Sequence, residues 1–506
     1  MNNFLLTFVV LAVCGSLAHA QKDEDIESVI NQVYNKCGKD SSLDLQHDKF
    51  DWDLFGKFNQ DKVNTLVSPI SLKLVLAMLY IASESRTKDQ IMQVMDFKSN
   101  DTLLQRKFKS IRKCLKPGPN ADYVLNVGTR MYVDKSINVK QKFSSILEDT
   151  FLTDIKKMDK DKPAEAVLDA NQWVREITRG NINQLLTDGD LVDVVVLMLS
   201  SLYFKGSWIN QFQSNDTKVG TFYLNGEDSV SVPMMTQTEK FGFLDSRDLE
   251  AKILKMPFRG EGLSMVIVLP NSIKGLRKMM RHLTASDINR EMMLLRNVNV
   301  RVIIPRFKYT FKSQLVTVLK EMGITDLFET SASLPGIAQG AGLENKLSVN
   351  NILQKAGIEV NEQGTTAYAA TAVTLVNKFG VDEEQPEDFV ANKPFLFFIE
   401  DDNTKQVLFS GTVNDPTQTN GELEEKEASI GSRFGEPVPI PSKQPADIQP
   451  IYNRPSAVPQ DVIIPTTYRP AVKTEVTKLP VPVVEEPKEQ NATLEVKNTT
   501  SEPEKN

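Results

Sequence analysis

The chain has 506 residues, 41% hydrophobic and 25% charged, an ordinary balance for a soluble globular protein. Its formal net charge of −7 argues against nucleic acid as the main partner. Length alone suggests about three domains of roughly 150 residues each.

Residues 1–20 have the form of a secretory signal peptide. Phe4 to Val13 is a nearly unbroken apolar run, and Ala18-His19-Ala20 fits a small-residue cleavage site before Gln21. The basic amino-terminal region of such signals is missing. The run is too short to span a bilayer and no later stretch does so, so a secreted, extracellular product without a membrane partner is expected. Cys14 lies in the signal; Cys37 and Cys114 either form one bridge or remain two lone thiols, and no disulfide framework is built from them. His47 and His282 have no partners at metal-ligand spacing, which leaves a zinc site or a serine–histidine triad unsupported. No metal or cofactor is expected.

Residues 21–49 read as a leader in which Ile26, Val29, Ile30 and Val33 have helical spacing. The globular part is expected from Phe50. Ser68 suits the N-cap and Pro69 the first position of a helix that continues through Leu72–Ala82. That helix is apolar nearly all round, so it should be buried. A second helix is predicted over Leu103–Lys116. Leu104, Phe108, Ile111 and Leu115 form its apolar face. Arg106, Lys109, Lys113 and Lys116 gather in a stripe flanked by Arg112. Two readings of the stripe stand: a solvated face, or a polyanion site, since a row of like charges is unfavourable until something neutralises it. Tyr123–Val133 reads as a strand, Val139–Leu147 as a helix, and Val194–Leu199 as a strand buried on both faces.

The most informative stretch is Glu359–Phe379. A strand-like start, Ile358-Glu359-Val360, runs into Glu362-Gln363-Gly364. The next ten residues, Thr365 to Thr374, carry no charge and no proline. Loops are normally polar and rich in turn residues; this one has the composition of a strand without a partner. Strand alternation puts Thr365, Ala367, Ala369 and Thr371 on one face, all small. Thr366, Tyr368 and Ala370 fall on the other. A small face suits burial, because overpacking costs about 1–3 kcal/mol.

Several further segments stand in a fixed order along the chain. They are Ala170–Ile182, Leu202-Tyr203-Phe204-Lys205-Gly206-Ser207-Trp208, Val232-Pro233-Met234-Met235, Leu254–Phe258, Leu263–Pro270, Ile304-Pro305-Arg306-Phe307, Leu319–Ile324, Asn392–Ile399 and Leu408-Phe409-Ser410-Gly411. With the loop stretch, this series resembles the serpin family over residues 50–416. The resemblance implies one α+β domain, the serpin fold: a large central antiparallel or mixed β-sheet, further sheets, about nine helices and an exposed reactive loop at about 362–386. It replaces the three domains suggested by length. Loop insertion into the main sheet is a property of that family and enters here as an implication. The resemblance also makes Glu362, Gly364, Thr365, Ala367, Ala369 and Thr371 the hinge and inserting residues. It sets Trp208 near the top of the main sheet, and the family's hinge-to-cleavage spacing puts the reactive bond between Lys378 and Phe379. Lysine there suits the acidic pocket of a trypsin-like serine protease. Phe379 departs from the family's small residue; cleavage after Phe379 by a chymotrypsin-like enzyme, or an ordinary loop lysine, are the other readings.

Where the family often pairs a histidine with an asparagine under the opening sheet, this chain has Gln354 and Ser200. They are expected to form a substitute hydrogen-bond network with Ser68. In some serpins the helix matching Leu103–Lys116 binds heparin, which points the basic stripe towards a sulfated polysaccharide. Residues 417–506 depart from the family. They hold 13 of the 25 prolines, with ten basic against fourteen acidic residues, and read as a disordered or polyproline-like tail. Asn100, Asn215, Asn491 and Asn498 head glycosylation sequons. The expected function is a secreted, monomeric suicide-substrate inhibitor of a trypsin-like serine protease, not an enzyme. The alternative is a non-inhibitory member acting as an extracellular carrier.

Overall fold

The computed structural model describes residues 47–58, 62–97, 101–117, 122–191, 194–224, 228–260, 262–338, 347–363 and 385–422. The signal, nearly all of the leader, the loop 364–384 and residues 423–506 lie outside them.

The described residues start with α1 (Lys49–Gly56), β1 (Thr65–Val67), α2 (Pro69–Ala82), α3 (Ser85–Met95) and α4 (Asp101–Leu115). Then come β2 (Tyr123–Asp134), α5 (Gln141–Ile146), β3 (Asp154–Met158), α6 (Pro163–Ile177), β4 (Val196–Gly206), β5 (Lys218–Tyr223), β6 (Ser229–Ser246), β7 (Ala251–Pro257) and β8 (Leu263–Pro270). The last part holds α7 (Gly275–Met280), α8 (Ala285–Met293), β9 (Arg296–Pro305), β10 (Phe307–Gln314), α9 (Val316–Met322), β11 (Asn351–Val360), β12 (Glu387–Val390), β13 (Phe395–Asp401), β14 (Val407–Val413) and β15 (Asn420–Glu422). Nine α-helices therefore occur among the described residues.

Two sheets organise the fold. One has six strands in the order β15-β10-β11-β4-β2-β3. The other runs β1-β14-β13-β8-β7-β6-β9-β12, with β5 paired to β6. Helix α2 lies between them, in contact with β14, β4 and β2. This is why it is apolar on every side: neither face meets water. Its one buried cation, Lys73, is matched from α1 by Asp51 at 2.6 Å and by Asp48 at 3.0 Å. Pro69 opens the helix as expected, but the Ser68 hydroxyl does not cap it; it donates to the Leu408 carbonyl at 2.7 Å.

Strand β4 is buried on both faces. Val196, Met198 and Leu202 join the main core, whereas Leu197 and Leu199 join a second cluster with Trp173 and Val174 of α6. The alternation follows the two-residue strand period. Helix α6 comes so close to β2 that a Cβ on Gly128 would sit 2.3 Å from Ile177 Cδ1.

Among the described residues, packing is already established at His47, three residues ahead of Phe50. The His47 ring is buried, with Nδ1 3.0 Å from Asn289 Oδ1 and Nε2 2.6 Å from Glu400 Oε2. Lys255 meets the other Glu400 oxygen at 2.6 Å. This histidine is a structural tie between α1, α8 and β13. At the other end, pairing continues past residue 416, where β15 lies parallel to β10.

Candidate functional site

The centre of the six-stranded sheet is a parallel pair, β4 beside β11. Its register runs from Leu197↔Asn351 to Lys205↔Glu359. Each strand has an antiparallel neighbour on its other side, β2 for β4 and β10 for β11. The two halves of the sheet therefore meet at a parallel seam. Strand β11 ends at Val360, and the chain continues directly into Glu362-Gln363 and the loop. The far end of the loop re-enters the fold at β12, which pairs with β9 in the other sheet.

The residues just after β11 are held by several independent bonds. Trp208 Nε1 donates to the Asn361 carbonyl at 3.0 Å, Phe212 N to the Glu362 carbonyl at 3.2 Å, and Gln211 Nε2 to the Gln363 carbonyl at 3.1 Å. Trp208 is itself set by stacking on Phe258, with ring centroids 4.4 Å apart. The Glu362 carboxylate, only 4% exposed, pairs with Arg306 and accepts from the Thr217 hydroxyl at 2.8 Å. Burial opposes its ionisation, but Arg306 and Thr217 outweigh burial and hold it below the usual carboxylate range.

A second carboxylate bridges the top of the seam. Glu359 on β11 meets Lys205 and the Tyr203 hydroxyl of β4, and Lys308 of β10 at 2.7 Å. Burial acts against its charge, yet the two lysines lower its pKa to about 2. Its partners divide by side. Lys308 belongs to the same half of the sheet, whereas Lys205 and Tyr203 lie across the seam.

Deeper in the seam, Gln354 is fully buried. Its Oε1 accepts from Ser68 N at 2.8 Å, and its Nε2 donates to Ser68 O at 3.0 Å and to Ser71 Oγ at 2.7 Å. The Ser200 hydroxyl, buried on β4, donates to Ser71 Oγ at 2.9 Å. Ser68, Ser200 and Gln354 are thus brought together, and Ser71 is the node that joins them. Ser71 was missed from sequence. Its signal was a serine hydroxyl inside a mostly apolar helix. Arg306 and Thr217 were also missed as partners of Glu362, although one stands inside the Ile304-Pro305-Arg306-Phe307 segment and the other inside the Asn215 sequon.

Gly364, Thr365, Ala367, Ala369, Thr371, Lys378 and Phe379 lie outside the described residues, as do Asn100, Asn491 and Asn498. Asn215 is exposed in a short 3-10 turn, Ser214–Asp216. On α4, Arg106, Lys109 and Lys113 are exposed, as is Lys116 just beyond its end; Arg112 is half-buried. Among the described residues no ion pair joins any of the five to an acid. Arg112 Nε and Nη1 are shielded from solvent without a hydrogen-bond partner, and burial lowers the guanidinium's pKa.

A parallel seam at the centre of a six-stranded sheet, with the chain re-entering at β12 of the second sheet, is the arrangement of the serpin class of fold. The family model described as "Serpin (serine protease inhibitor)" matches residues 46–416. Serine protease inhibitor 2 of Anopheles gambiae is 33% identical over 71% of this chain and 88% of its own length. The leukocyte elastase inhibitor of Sus scrofa is 34% identical over 74% of this chain and 99% of its own. Among solved structures, a serpin of Tenebrio molitor, Serpin48, matches with a TM-score of 0.63 and 27% identity over 78% of this chain and 99% of its own. Serpin-12 of Manduca sexta matches in fold with a TM-score of 0.65 and 24% identity over 73% of this chain and 98% of its own. The chain belongs to the serpin family, a family of serine protease inhibitors and not of enzymes.

Proposed function

We propose that this chain is a secreted, monomeric suicide-substrate inhibitor of a trypsin-like serine protease. The observation that carries the reading is the parallel β4–β11 seam with the hinge directly above it. A chain that reverses after Val360 and enters the seam runs antiparallel to both flanking strands. One parallel pairing is thereby exchanged for two antiparallel ones, and antiparallel pairing is slightly more stable per residue. The inserting face, Thr365, Ala367, Ala369 and Thr371, is small enough to be buried there. The bonds across the closed seam and the tether to β12 oppose entry, and cleavage of the loop removes the tether.

The chemistry follows from the loop sequence. The protease serine attacks the Lys378 carbonyl, the Lys378–Phe379 bond breaks, and the new amino terminus at Phe379 leaves with β12. Lys378 stays esterified to the protease while the upstream strand inserts and carries the enzyme with it. The basic stripe on α4, with Arg112 Nε and Nη1 lacking a hydrogen-bond partner among the described residues, supports a sulfated polysaccharide as modulator. The signal-like residues 1–20 support secretion, and the four sequons headed by Asn100, Asn215, Asn491 and Asn498 support a glycoprotein.

The test is incubation with trypsin-like and chymotrypsin-like proteases, followed by denaturing gels and mass spectrometry of the released fragment. An SDS-resistant complex and a fragment beginning at Phe379 are expected. Thermal melting before and after loop cleavage separates inhibitor from carrier. Cleavage without a complex and without a large rise in melting temperature overturns the inhibitory reading in favour of the carrier.

A further inference from the structure

The family match ends at residue 416, yet the next six residues are built onto the edge of the main sheet. Asn64, fully buried, sets their path. Its Oδ1 accepts from Asn414 N at 2.7 Å and Asp415 N at 2.9 Å, its Nδ2 donates to Asp415 O at 2.7 Å, and its backbone N donates to Gln418 Oε1 at 2.6 Å. The turn at Asp415 is closed by Thr417, whose backbone N and hydroxyl donate to Asp415 Oδ1 at 2.9 and 2.7 Å. The chain then runs beside β10. Thr310 N donates to Thr419 O at 2.9 Å, Thr310 Oγ1 to Asn420 Oδ1 at 2.8 Å, and Asn420–Glu422 pair in parallel with Thr310–Lys312. The fit is close. A Cβ on Gly421 would lie 2.7 Å from Phe311 Cδ2 and 2.8 Å from the Asn64 carbonyl oxygen, so only glycine passes.

We propose that the root of the tail, Thr419–Glu422, is a self-capping strand that closes the β10 edge of the main sheet against pairing with a second copy of this chain. An uncovered edge strand offers unpaired N–H and C=O groups that template association. Here three residues occupy the middle of that edge, and no continuous run of β10 groups is left for a partner. The cap sits on the side of β10 away from β11. Parting β4 from β11 leaves it in place, so it guards the edge without resisting loop entry. This role is independent of the bait bond and of the protease class.

Three full-length-derived proteins test it: Gly421→Val, which pushes the strand off while keeping the tail; a chain ending at Gln418; and a control chain ending at Lys426, which keeps the strand. Amide exchange at Thr310 and light scattering after size exclusion are read for each. Exchange at Thr310 at least tenfold faster, with dimers or larger species, is expected for the first two, and wild-type behaviour for the third. Protease trapping should be equal in the monomer fractions of all three; a loss of trapping in every protein, wild type included, bears on the inhibitory reading alone. Unchanged Thr310 exchange in the Gln418 chain overturns the proposal at its root. Faster exchange with a strictly monomeric protein overturns the guarding role.

Discussion

Gln354 and Ser200 are register partners across the β4–β11 seam, and they share one hydrogen-bond partner, the Ser71 hydroxyl, at 2.7 and 2.9 Å. Neither strand owns the serine that joins them; it comes from α2 beneath. A strand entering the seam must break this bridge, because Gln354 and Ser200 then move apart. The bridge is therefore a bond of the closed sheet. Ser71→Ala leaves the Ser200 hydroxyl unpaired and removes one of the Gln354 bonds. Unpaired buried polar groups cost about 1–3 kcal/mol, a cost borne by the closed state alone. The variant is expected to melt lower and to pass several-fold faster into an uncleaved, loop-inserted form, measured by loss of inhibitory capacity on warm incubation. An unchanged rate would remove the seam from control of insertion.

Glu359 makes the same argument at the top of the seam, with a pH sign attached. Its pKa falls from 4.5 to about 2 on folding because Lys205 and Lys308 overcome burial. A carboxyl with a depressed folded pKa contributes stability that is fully present above about 4.5 and is lost as pH falls towards 2. Closure of the seam should weaken in that window. Glu359→Gln should flatten this acid dependence and open the seam faster at neutral pH, since a hydrogen bond to a charged group contributes about 1.5–3 kcal/mol. Lys308→Ala should do less, because Lys308 stays on the Glu359 side when the halves part. Equal effects of Lys308→Ala and Lys205→Ala on the insertion rate would contradict this division.

The fold was legible in the sequence where a residue pattern has one physical meaning. The nearly all-apolar α2 and the unbroken apolar run Val194–Leu199 that leads into β4 each declare burial on both faces. The ordered motifs then leave little choice of topology. The contacts of the site were legible only in part. Gln354 and Ser200 stand out as polar residues in buried strands, but Ser71 needs the three-dimensional crossing of α2 under the seam. Arg306 and Thr217 reach Glu362 from 56 and 145 residues away, a relation that no local periodicity carries. Ser68 shows the opposite error. Its position is that of a cap, yet the nearby Leu408 carbonyl takes its hydroxyl.

Lys73 is the cation inside α2, and two acids, Asp51 of α1 and its N-cap residue Asp48, meet it. Burial raises the Asp51 pKa to about 6 even with Lys73 beside it. Lys73→Met would leave Asp51 buried without its cation, and breaking a buried pair in this way costs about 3–5 kcal/mol. The sign with pH is opposite to that of Glu359. A carboxyl whose folded pKa is raised contributes most below its unfolded value of 3.8 and loses that contribution as pH rises through about 6. The melting deficit of Lys73→Met should therefore shrink as pH falls from about 7 to about 5, and Asp51→Asn in the same chain should restore much of it. A deficit independent of pH would mean that lost packing of the lysine stem, not the stranded acid, sets the cost.

The inserting face makes the last prediction. In the proposed insertion Thr365 is the first residue of that face, to be buried before any later residue can follow. Thr365→Arg puts a long cation at this point, and overpacking a buried position is unfavourable. The closed protein should fold and melt as the wild type does, because the substitution precedes insertion. The protease should still cut after Lys378, since the bait bond is unaltered. What changes is the outcome of the race between insertion and deacylation. If entry stalls, water releases the protease and the inhibitor becomes a substrate. Denaturing gels should show cleaved chain and no SDS-resistant complex, and cleavage should no longer raise the melting temperature. Lys378→Glu separates the other half of the reading: it should abolish reaction with trypsin-like enzymes while leaving the loop able to insert once cut by another protease. A Thr365→Arg variant that traps protease as the wild type does would remove loop entry from the mechanism.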